Sequence, residues 1–168
     1  MVTPVAGNPD NASKLAWLKA AWSVEPYNPE TTAKIGETLR LASGQGLPNY
    51  RELATEAMQW FDRGIKLNRY DPFNYFRYGM CLHWLDRHDE AGPYFQKALE
   101  LDPKNYIVMG YMGIHSFELG DWAAAKTWFE KAIYQAHWSL AYKYKRFDLG
   151  DTYLRIIKEK TAGQSTGK

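Results

Sequence analysis

The sequence repeats itself at a spacing of 34 residues, and this repeat constrains the fold more than any other feature. Shifting the chain by 34 positions brings small and aromatic residues into coincidence. The coincident pairs are Gly79 with Gly113, Ala91 with Ala125, Phe95 with Phe129, and Ala98 with Ala132. A unit of this length is too short to bury an apolar face alone, so the repeat predicts a stack of small units that share one continuous core.

The repeat extends toward the N-terminus through one insertion. Ala57 and Phe61 continue the alanine and phenylalanine series one period further back. Gly36 precedes Ala57 by 21 residues, whereas the corresponding separation in the two later units is 12. The nine extra residues fit a loop around Ser43 to Asn49, whose sequence SGQGLPN is rich in turn formers. With this offset, Ala21, Pro26 and Asn28 correspond to Ala98, Pro103 and Asn105.

The repeated residue types fit two helices that cross closely. Glycine inside a helix costs about 1 kcal/mol relative to alanine, which is acceptable where another helix must approach the backbone. Gly36, Gly79 and Gly113 occupy this position on the first helix of each unit. The phenylalanines follow the matching alanines by four residues, on the same face of the second helix, and are expected to fill the space between units.

One unit carries a characteristic series of residues. They are Tyr75, Tyr78, Gly79, Leu82, Ala91, Phe95, Ala98 and Pro103, and the turns read LELDP and LGDW. This series resembles the tetratricopeptide repeat (TPR), and the resemblance covers residues 14–137. It implies an all-α solenoid of antiparallel helix pairs, wound as a right-handed superhelix, with a C-terminal capping helix. The resemblance is specific for the fold and says little about function.

The resemblance and the periodicity together predict the organisation of the chain. The segments are a flexible N-terminal segment over 1–11, a TPR array over 12–137, a capping helix over 138–160 and a flexible tail over 161–168. The array comprises a half unit over 12–28 and full units over 29–71, 72–105 and 106–137. The expected helices are 12–24, 30–42, 50–67, 73–86, 89–101, 106–118, 122–135 and 139–160. The first of them is a second-type helix without its first-type partner.

In TPR proteins the first helix of each pair lines a concave groove, so the resemblance implies a partner site there. The predicted partner residues are Glu37, Arg40, Phe73, Phe76, Arg77, Met80, His83, Ile107, Tyr111, Ile114 and Phe117. An aromatic and methionine-lined groove suits an apolar peptide or an amphipathic helix, and it also suits stacked sugar rings. The alternative is that the C-terminal helix, or a neighbouring copy, covers these residues.

One partner class of the family is excluded by the sequence. TPR proteins that grip the C-terminal carboxylate of chaperones use Lys and Asn at set groove positions. The residues here are Ala33, Glu37, Phe76, Met80, Gly110 and Ile114. The carboxylate-clamp function is therefore not expected.

The sequence contains no recognisable catalytic, metal or cofactor site. His83 and His88 are five residues apart and do not share a helix face as a metal-binding pair would. Cys81 lies within a predicted helix between Met80 and Leu82, without an identifiable base, and is expected to be a small core residue. We therefore predict a protein without enzyme activity and without cofactors.

Composition bears on partners and location. The formal net charge is only +2, so the sequence offers no overall electrostatic basis for binding nucleic acid. No apolar run approaches the ~20 residues that a membrane-spanning helix needs, and residues 1–10 lack the pattern of a signal peptide. The prediction is a cytoplasmic protein without direct membrane insertion, or a membrane-associated one if the chain is excised from a larger membrane protein.

A narrower resemblance concerns AAWSVEPYNPE and the long segment that begins at NYRELATEAMQWFDRG. These look like the soluble TPR tail of bacterial O-antigen ligase or polymerase membrane proteins. Three functions then stand side by side. They are a scaffold that binds a protein or peptide, a structural protein that self-assembles into an oligomer or filament through its half pair, and an accessory domain of an O-antigen ligase or polymerase with a glycan as partner.

Overall fold

The computed structural model describes residues 9–137 and 148–165. Every regular element in these two ranges is an α-helix, which confirms the all-α prediction. In chain order the helices are α1 (Pro9–Val24), α2 (Pro29–Ser43), α3 (Tyr50–Leu67), α4 (Pro72–Trp84), α5 (His88–Leu101), α6 (Tyr106–Glu118), α7 (Trp122–His137) and α8 (Asp148–Ser165). The chain divides into unit 1 (Met1–Lys97) and unit 2 (Ala98–Lys168).

The helix bounds agree with the sequence prediction at most positions and differ at the two ends. The inserted loop is confirmed, because α2 ends at Ser43 and α3 begins at Tyr50. Helix α1 begins three residues earlier than expected, and α8 continues to Ser165, so residues 161–165 are helical although they were expected in the flexible tail. Residues 138–147, where the capping helix was expected to begin, lie outside the described ranges, as do residues 1–8 and 166–168.

Capping side chains explain where the first helices of the pairs begin. The Asn28 amide oxygen accepts hydrogen bonds from the backbone N–H groups of Glu30 at 3.0 Å and Thr31 at 3.1 Å. The Asp71 carboxylate accepts one from the N–H of Phe73 at 2.9 Å. A proline follows each of these caps and needs no partner for an N–H group. The Asn-Pro and Asp-Pro pairs in the sequence therefore fix the starts of α2 and α4.

The phenylalanines of the repeat pack directly against the helical glycines. A Cβ atom added to each glycine would lie 2.7 Å from the ring for Gly36 with Phe61, 2.7 Å for Gly79 with Phe95, and 2.6 Å for Gly113 with Phe129. All three rings are completely buried. A side chain on any of these glycines would overlap the ring, so the close crossing of the two helices that the spacing predicts is confirmed.

Helix α8 packs on the α6–α7 pair of unit 2. Ala125 and Phe129 of α7 share a buried cluster with Ile157 of α8. The Tyr153 ring stacks on the Phe129 ring, with centroids 4.9 Å apart and an angle of 15° between the planes. Because α8 follows a second-type helix and packs on it, α8 takes the place of the first helix of a further unit.

Crossing a membrane requires a helix that is both long and apolar. Among the described residues, no helix combines the necessary length with sufficient apolar character.

Candidate partner-binding surface

Glu37 of α2 holds two arginines at the surface of unit 1. Its two carboxylate oxygens accept hydrogen bonds from Nε and Nη2 of Arg40, each at 2.8 Å. The Nε atom of Arg77, on α4, lies 3.3 Å from the same carboxylate. Burial opposes ionisation of Glu37, but the hydrogen bonds and charge of Arg40, together with the charges of Arg77 and Lys14, outweigh it and lower the pKa of the carboxyl group. The carboxylate stays charged and fixes both guanidinium groups.

An aromatic and a methionine side chain extend this charged network along α4. The guanidinium carbon of Arg77 lies 5.5 Å from the centre of the Phe73 ring, which is a cation–π contact. Phe73 is 45% exposed, and Met80 is half-buried. Phe73, Arg77 and Met80 follow one another at helical spacing on one side of α4. We call the surface formed by Glu37, Arg40, Phe73, Arg77 and Met80 the unit 1 face.

Two other predicted partner residues of α4 lie deeper. Phe76 is buried, with its ring centroid 6.1 Å from that of Phe95. His83 is half-buried near the end of α4, where its ring meets that of His88 edge-on at 4.3 Å. Phe76 therefore packs in the core of unit 1, and His83 packs against the start of α5. Both present less surface to a partner than Phe73 does.

Cys81 lies on the buried side of α4, next to the charged network. Burial raises the pKa of the Cys81 thiol to about 12, with the charge of Arg40 opposing this rise and that of Glu37 adding to it. A thiol with this pKa is almost entirely protonated at neutral pH, so it lacks the thiolate form that a nucleophile or a metal ligand needs. The small core role expected for Cys81 agrees with its burial. In the part of the chain that the structure describes, no three His, Cys, Asp or Glu side chains form a group that could hold a metal ion.

The predicted partner residues of unit 2 divide into exposed and covered positions. Ile107 is 42% exposed, and Tyr111 is half-buried. Ile114 and Phe117 pack against the buried cluster that α7 and α8 share. The Phe117 ring meets Tyr153 of α8 edge-on, with centroids 4.9 Å apart. At these two positions the structure has the arrangement that the sequence left as an alternative, in which the C-terminal helix covers the first-helix face.

A cleft of about 510 Å³ runs between α1 and α2 and adjoins the unit 1 face. It is lined by Lys14, Trp17, Leu18, Glu30, Ala33, Lys34, Glu37, Thr38 and Arg77. Trp17 is 72% exposed at this cleft. The sequence prediction missed the residues of α1, because it considered first helices only. The available signal was the half pair itself, because α1 is the one helix of its half unit among the described residues.

Comparison with known proteins supports the TPR fold. Residues 72–105, which span α4, α5 and the turn after them, match the tetratricopeptide repeat family. A crystal structure of MamA is similar at 20% identity and a TM-score of 0.65, covering 94% of this chain and 92% of that one. MamA from Desulfovibrio magneticus RS-1, residue 41 to its end, gives 16% identity and a TM-score of 0.66, covering 93% and 88%. No curated protein matches the sequence.

A third similar structure contains a bound peptide. It is the type III secretion chaperone SycD of Yersinia enterocolitica in complex with a peptide of the translocator YopD, at 18% identity and a TM-score of 0.60, covering 74% of this chain and 93% of that one. At such identities these likenesses establish the fold of the chain. None of the three structures is an O-antigen ligase or polymerase tail, so that narrower resemblance stays a prediction.

Proposed function

We propose that this protein is a non-catalytic TPR scaffold that holds a segment of a partner protein on the unit 1 face. The observation that carries the proposal is the network in which the Glu37 carboxylate fixes the guanidinium groups of Arg40 and Arg77. An exposed aromatic ring, Phe73, lies against one of those groups. Aromatic and arginine side chains are the residue types that contribute most to binding energy at protein interfaces.

The network matters because the side chains are ordered before a partner arrives. Immobilising a long side chain on binding costs about 0.5–1.5 kcal/mol of conformational entropy. Both carboxylate oxygens of Glu37 already hold Arg40, so little of this cost remains for the arginine. The Phe73 ring is similarly restrained by Arg77. A partner peptide would therefore meet a surface with fixed positive charge, an exposed ring and the half-buried Met80.

The chemistry of unit 1 favours binding over catalysis. The thiol of Cys81 is buried and has a raised pKa. The fold is similar to that of SycD, a chaperone whose structure contains a peptide. This likeness supports a peptide-holding role for the present chain and says nothing about the sequence of the peptide.

A selection from a displayed library of random peptides tests this function. Peptides selected on the full chain would be synthesised and titrated by fluorescence anisotropy against purified variants. We expect Phe73→Ala and Arg77→Ala to weaken binding by about tenfold or more. Tyr134→Ala is the matched control, because Tyr134 is 68% exposed but lies on α7 of unit 2. Selected peptides that bind all four proteins equally would refute the unit 1 face as the site.

Self-assembly and a glycan partner remain separate proposals. Exposed apolar residues on α1 favour the first of these, because they leave part of a half pair uncovered. No described feature favours the glycan over a peptide. Sedimentation at several concentrations distinguishes self-assembly from partner binding, because only a self-assembling protein would change mass with its own concentration.

A further inference from the structure

Two sets of three mutually packed helices show how a first helix is held in this fold. In unit 1, α2 packs against both α3 and α4, which also pack against each other. In unit 2, α6 packs against α7 and α8 in the same manner. Each set contains a first-type helix, its second-type partner and the next first-type helix. Helices α1 and α2 pack against each other as the last two members of such a set would.

The register of the repeat identifies which residues of α1 correspond to those that contact a first helix in the complete set. One period plus the nine-residue insertion is a shift of 43, so Lys14 and Leu18 of α1 correspond to Ala57 and Phe61 of α3. In the complete set, the Phe61 ring packs against α2. Leu18 and Lys14 both line the cleft between α1 and α2. The cleft therefore lies on the side of α1 where a complete set has its first helix.

Residues of α2 that line the cleft also correspond to residues that face a first helix in the complete set. The shift of 43 makes Lys34 and Thr38 of α2 correspond to Arg77 and Cys81 of α4. Arg77 reaches α2 in the complete set, through its contact with Glu37. Lys34 and Thr38 line the cleft. Each wall of the cleft thus carries a residue, Leu18 on α1 and Lys34 on α2, whose counterpart contacts the first helix of the complete set.

The lining of the cleft defines the chemistry of an occupant. The apolar floor contains Leu18, which is 5% exposed, and the small side chain of Ala33, while Trp17 is exposed at its edge. Its charged residues are three cations and two carboxylates, namely Lys14, Lys34, Arg77, Glu30 and Glu37. Each carboxylate already has a cationic partner, since Glu30 pairs with Lys34 at 2.7 Å and Glu37 pairs with both arginines of the unit 1 face. The cleft is therefore apolar at its floor and cationic in excess at its edge.

We propose that the cleft between α1 and α2 receives an amphipathic helix of a partner protein, in the position that the first helix has in the complete sets. The proposal rests on the scaffold function above and deepens it, because it specifies the partner as a helix. The occupant has a small residue over Leu18, as glycine lies over phenylalanine in the complete sets. It also has acidic residues toward Lys14 and Arg77. The first helices of this chain have 13 to 15 residues, which sets its length.

A peptide with the sequence of α2, Pro29–Ser43, is the direct probe, because α2 fills the equivalent place on α3 and α4. A fluorescein-labelled form would be titrated against the full chain by anisotropy, beside a more acidic form that carries Arg40→Glu, because Arg40 is on the side of α2 that faces α4. We expect saturable binding in a one-to-one ratio, about threefold or more tighter for the acidic form and weakened by salt. Absence of saturable binding by both peptides would overturn the proposal.

Two variants of the full chain locate the binding. Trp17→Ala removes the exposed edge of the cleft, and Ala33→Trp fills the cleft, and each is expected to weaken the peptide by about fivefold to tenfold. Tyr70→Ala is the matched control, because Tyr70 is also an exposed aromatic residue of unit 1. Equal affinity of all four proteins would refute the site. Circular dichroism melting checks that the Ala33→Trp chain is folded, and the Trp17→Ala result stands independently if it is not.

Two further measurements distinguish helix binding in the cleft from peptide binding on the unit 1 face and from self-association. Met80 lies on the unit 1 face and does not line the cleft. Met80→Ala should therefore leave the affinity for the α2 peptide unchanged and lower the affinity for the selected peptides. Failure of one set of peptides therefore leaves the other interpretable. Sedimentation of the unliganded chain decides whether a second copy takes the place of the partner. A dimer that Trp17→Ala dissociates would overturn the partner-helix proposal in favour of self-association.

Discussion

Helices α1 and α8 each bury one side against a neighbouring pair, but they present different surfaces to solvent. Eight described residues of α1 are exposed, of which five are small or apolar (Ala12, Ala16, Trp17, Ala20 and Val24) and three are polar or charged (Ser13, Lys14 and Ser23). The exposed residues of α8 include Asp151, Thr152, Arg155, Lys158 and Glu159, which are polar or charged. Helix α1 has two nearly buried leucines, Leu15 at 3% exposure and Leu18 at 5%, and α8 has Ile157 at 4%. The two helices thus differ in the residues that they expose, although each has nearly buried aliphatic side chains on its inner side.

This difference indicates where a partner is expected. A helix of a repeat array needs a polar outer face if nothing is to pack on that face. Helix α8 meets that requirement, and it also covers Ile114 and Phe117 of the α6–α7 pair. Helix α1 meets it less well, because most of its exposed residues are small or apolar, and the cleft lies beside its exposed residue Trp17. Variants of α1 and α8 can therefore test how each helix is held and whether its outer face contributes to stability.

The largest expected effect is a loss of stability when the nearly buried Leu18 or Ile157 is truncated. Leu18→Ala and Ile157→Ala each remove most of a nearly buried aliphatic side chain. Each should lower the free energy of unfolding by about 2–4 kcal/mol, because the transfer free energy is lost and a cavity remains. Guanidinium denaturation followed by circular dichroism measures both. A loss below about 1 kcal/mol for either variant would show that the helix concerned is held by other contacts.

A second pair of variants tests the outer aromatic residues. Tyr153 of α8 is half-buried and contacts the rings of Phe117 and Phe129, so Tyr153→Ala should destabilise the protein by about 2 kcal/mol. Trp17 of α1 is 72% exposed, so Trp17→Ala should change stability by no more than about 0.5 kcal/mol. Thermal melting of both variants gives the comparison. If Trp17→Ala proved as destabilising as Tyr153→Ala, Trp17 would have a structural role, and the open side of α1 would be in doubt.

The smallest expected effect is a dependence of stability on pH, and it comes from the Glu37 carboxyl group. The pKa of Glu37 is lowered from 4.5 in the folded protein. Its contribution to stability is therefore fully present above that value and is lost as the pH falls through the lower, folded pKa. We expect less than about 1 kcal/mol, because the group is partly exposed and solvent screens the pair. Glu37→Gln should remove this part of the acid sensitivity.

Denaturation at a series of pH values from neutral to about pH 3 measures the effect. The informative quantity is the difference between the wild-type chain and Glu37→Gln at each pH. An unchanged difference across the series would show that the carboxyl group has the same pKa in the folded and unfolded chains. The contacts of α8 with Phe117 and Phe129 are made by aromatic rings, so a variant there such as Tyr153→Ala should not alter the acid dependence below about pH 5 in the same way.

Much of the fold was predictable because close helix crossings require glycine and phenylalanine at fixed spacings in the sequence. A side chain at Gly36 would overlap the buried Phe61 ring, so the glycine is needed where the two helices touch, and the same holds for the two later pairs. The loop after Ser43 was predictable for a related reason, since an insertion must shift the register without destroying it. The caps at Asn28 and Asp71 are local features that a few residues determine.

The candidate site was predictable only in part. Glu37, Arg40 and Arg77 were selected from their positions on first helices, but which carboxylate meets which guanidinium depends on how α2 and α4 approach each other. The covering of Ile114 and Phe117 was left open, because the sequence around α8 lacks the small residues of the repeat.

The missing landmarks can be read from the sequence alone. One period after Gly113 the chain has Phe147, and one period after Ala125 it has Glu159. Neither residue is small, as the close helix crossing of the repeat requires. The register of α8 therefore could not be extended from the repeat.

The sequence by itself determined the helices, their pairing and the glycine–phenylalanine contacts, because these depend on periodicity and on side-chain size at fixed spacing. Only the tertiary structure decided which faces remain open. The cover of Phe117 by Tyr153 and the position of Trp17 at the edge of the cleft both result from contacts between residues that are distant in the chain. Such contacts depend on how the helices are placed relative to one another. The repeat predicts this placement only for helices that carry its glycines, alanines and phenylalanines.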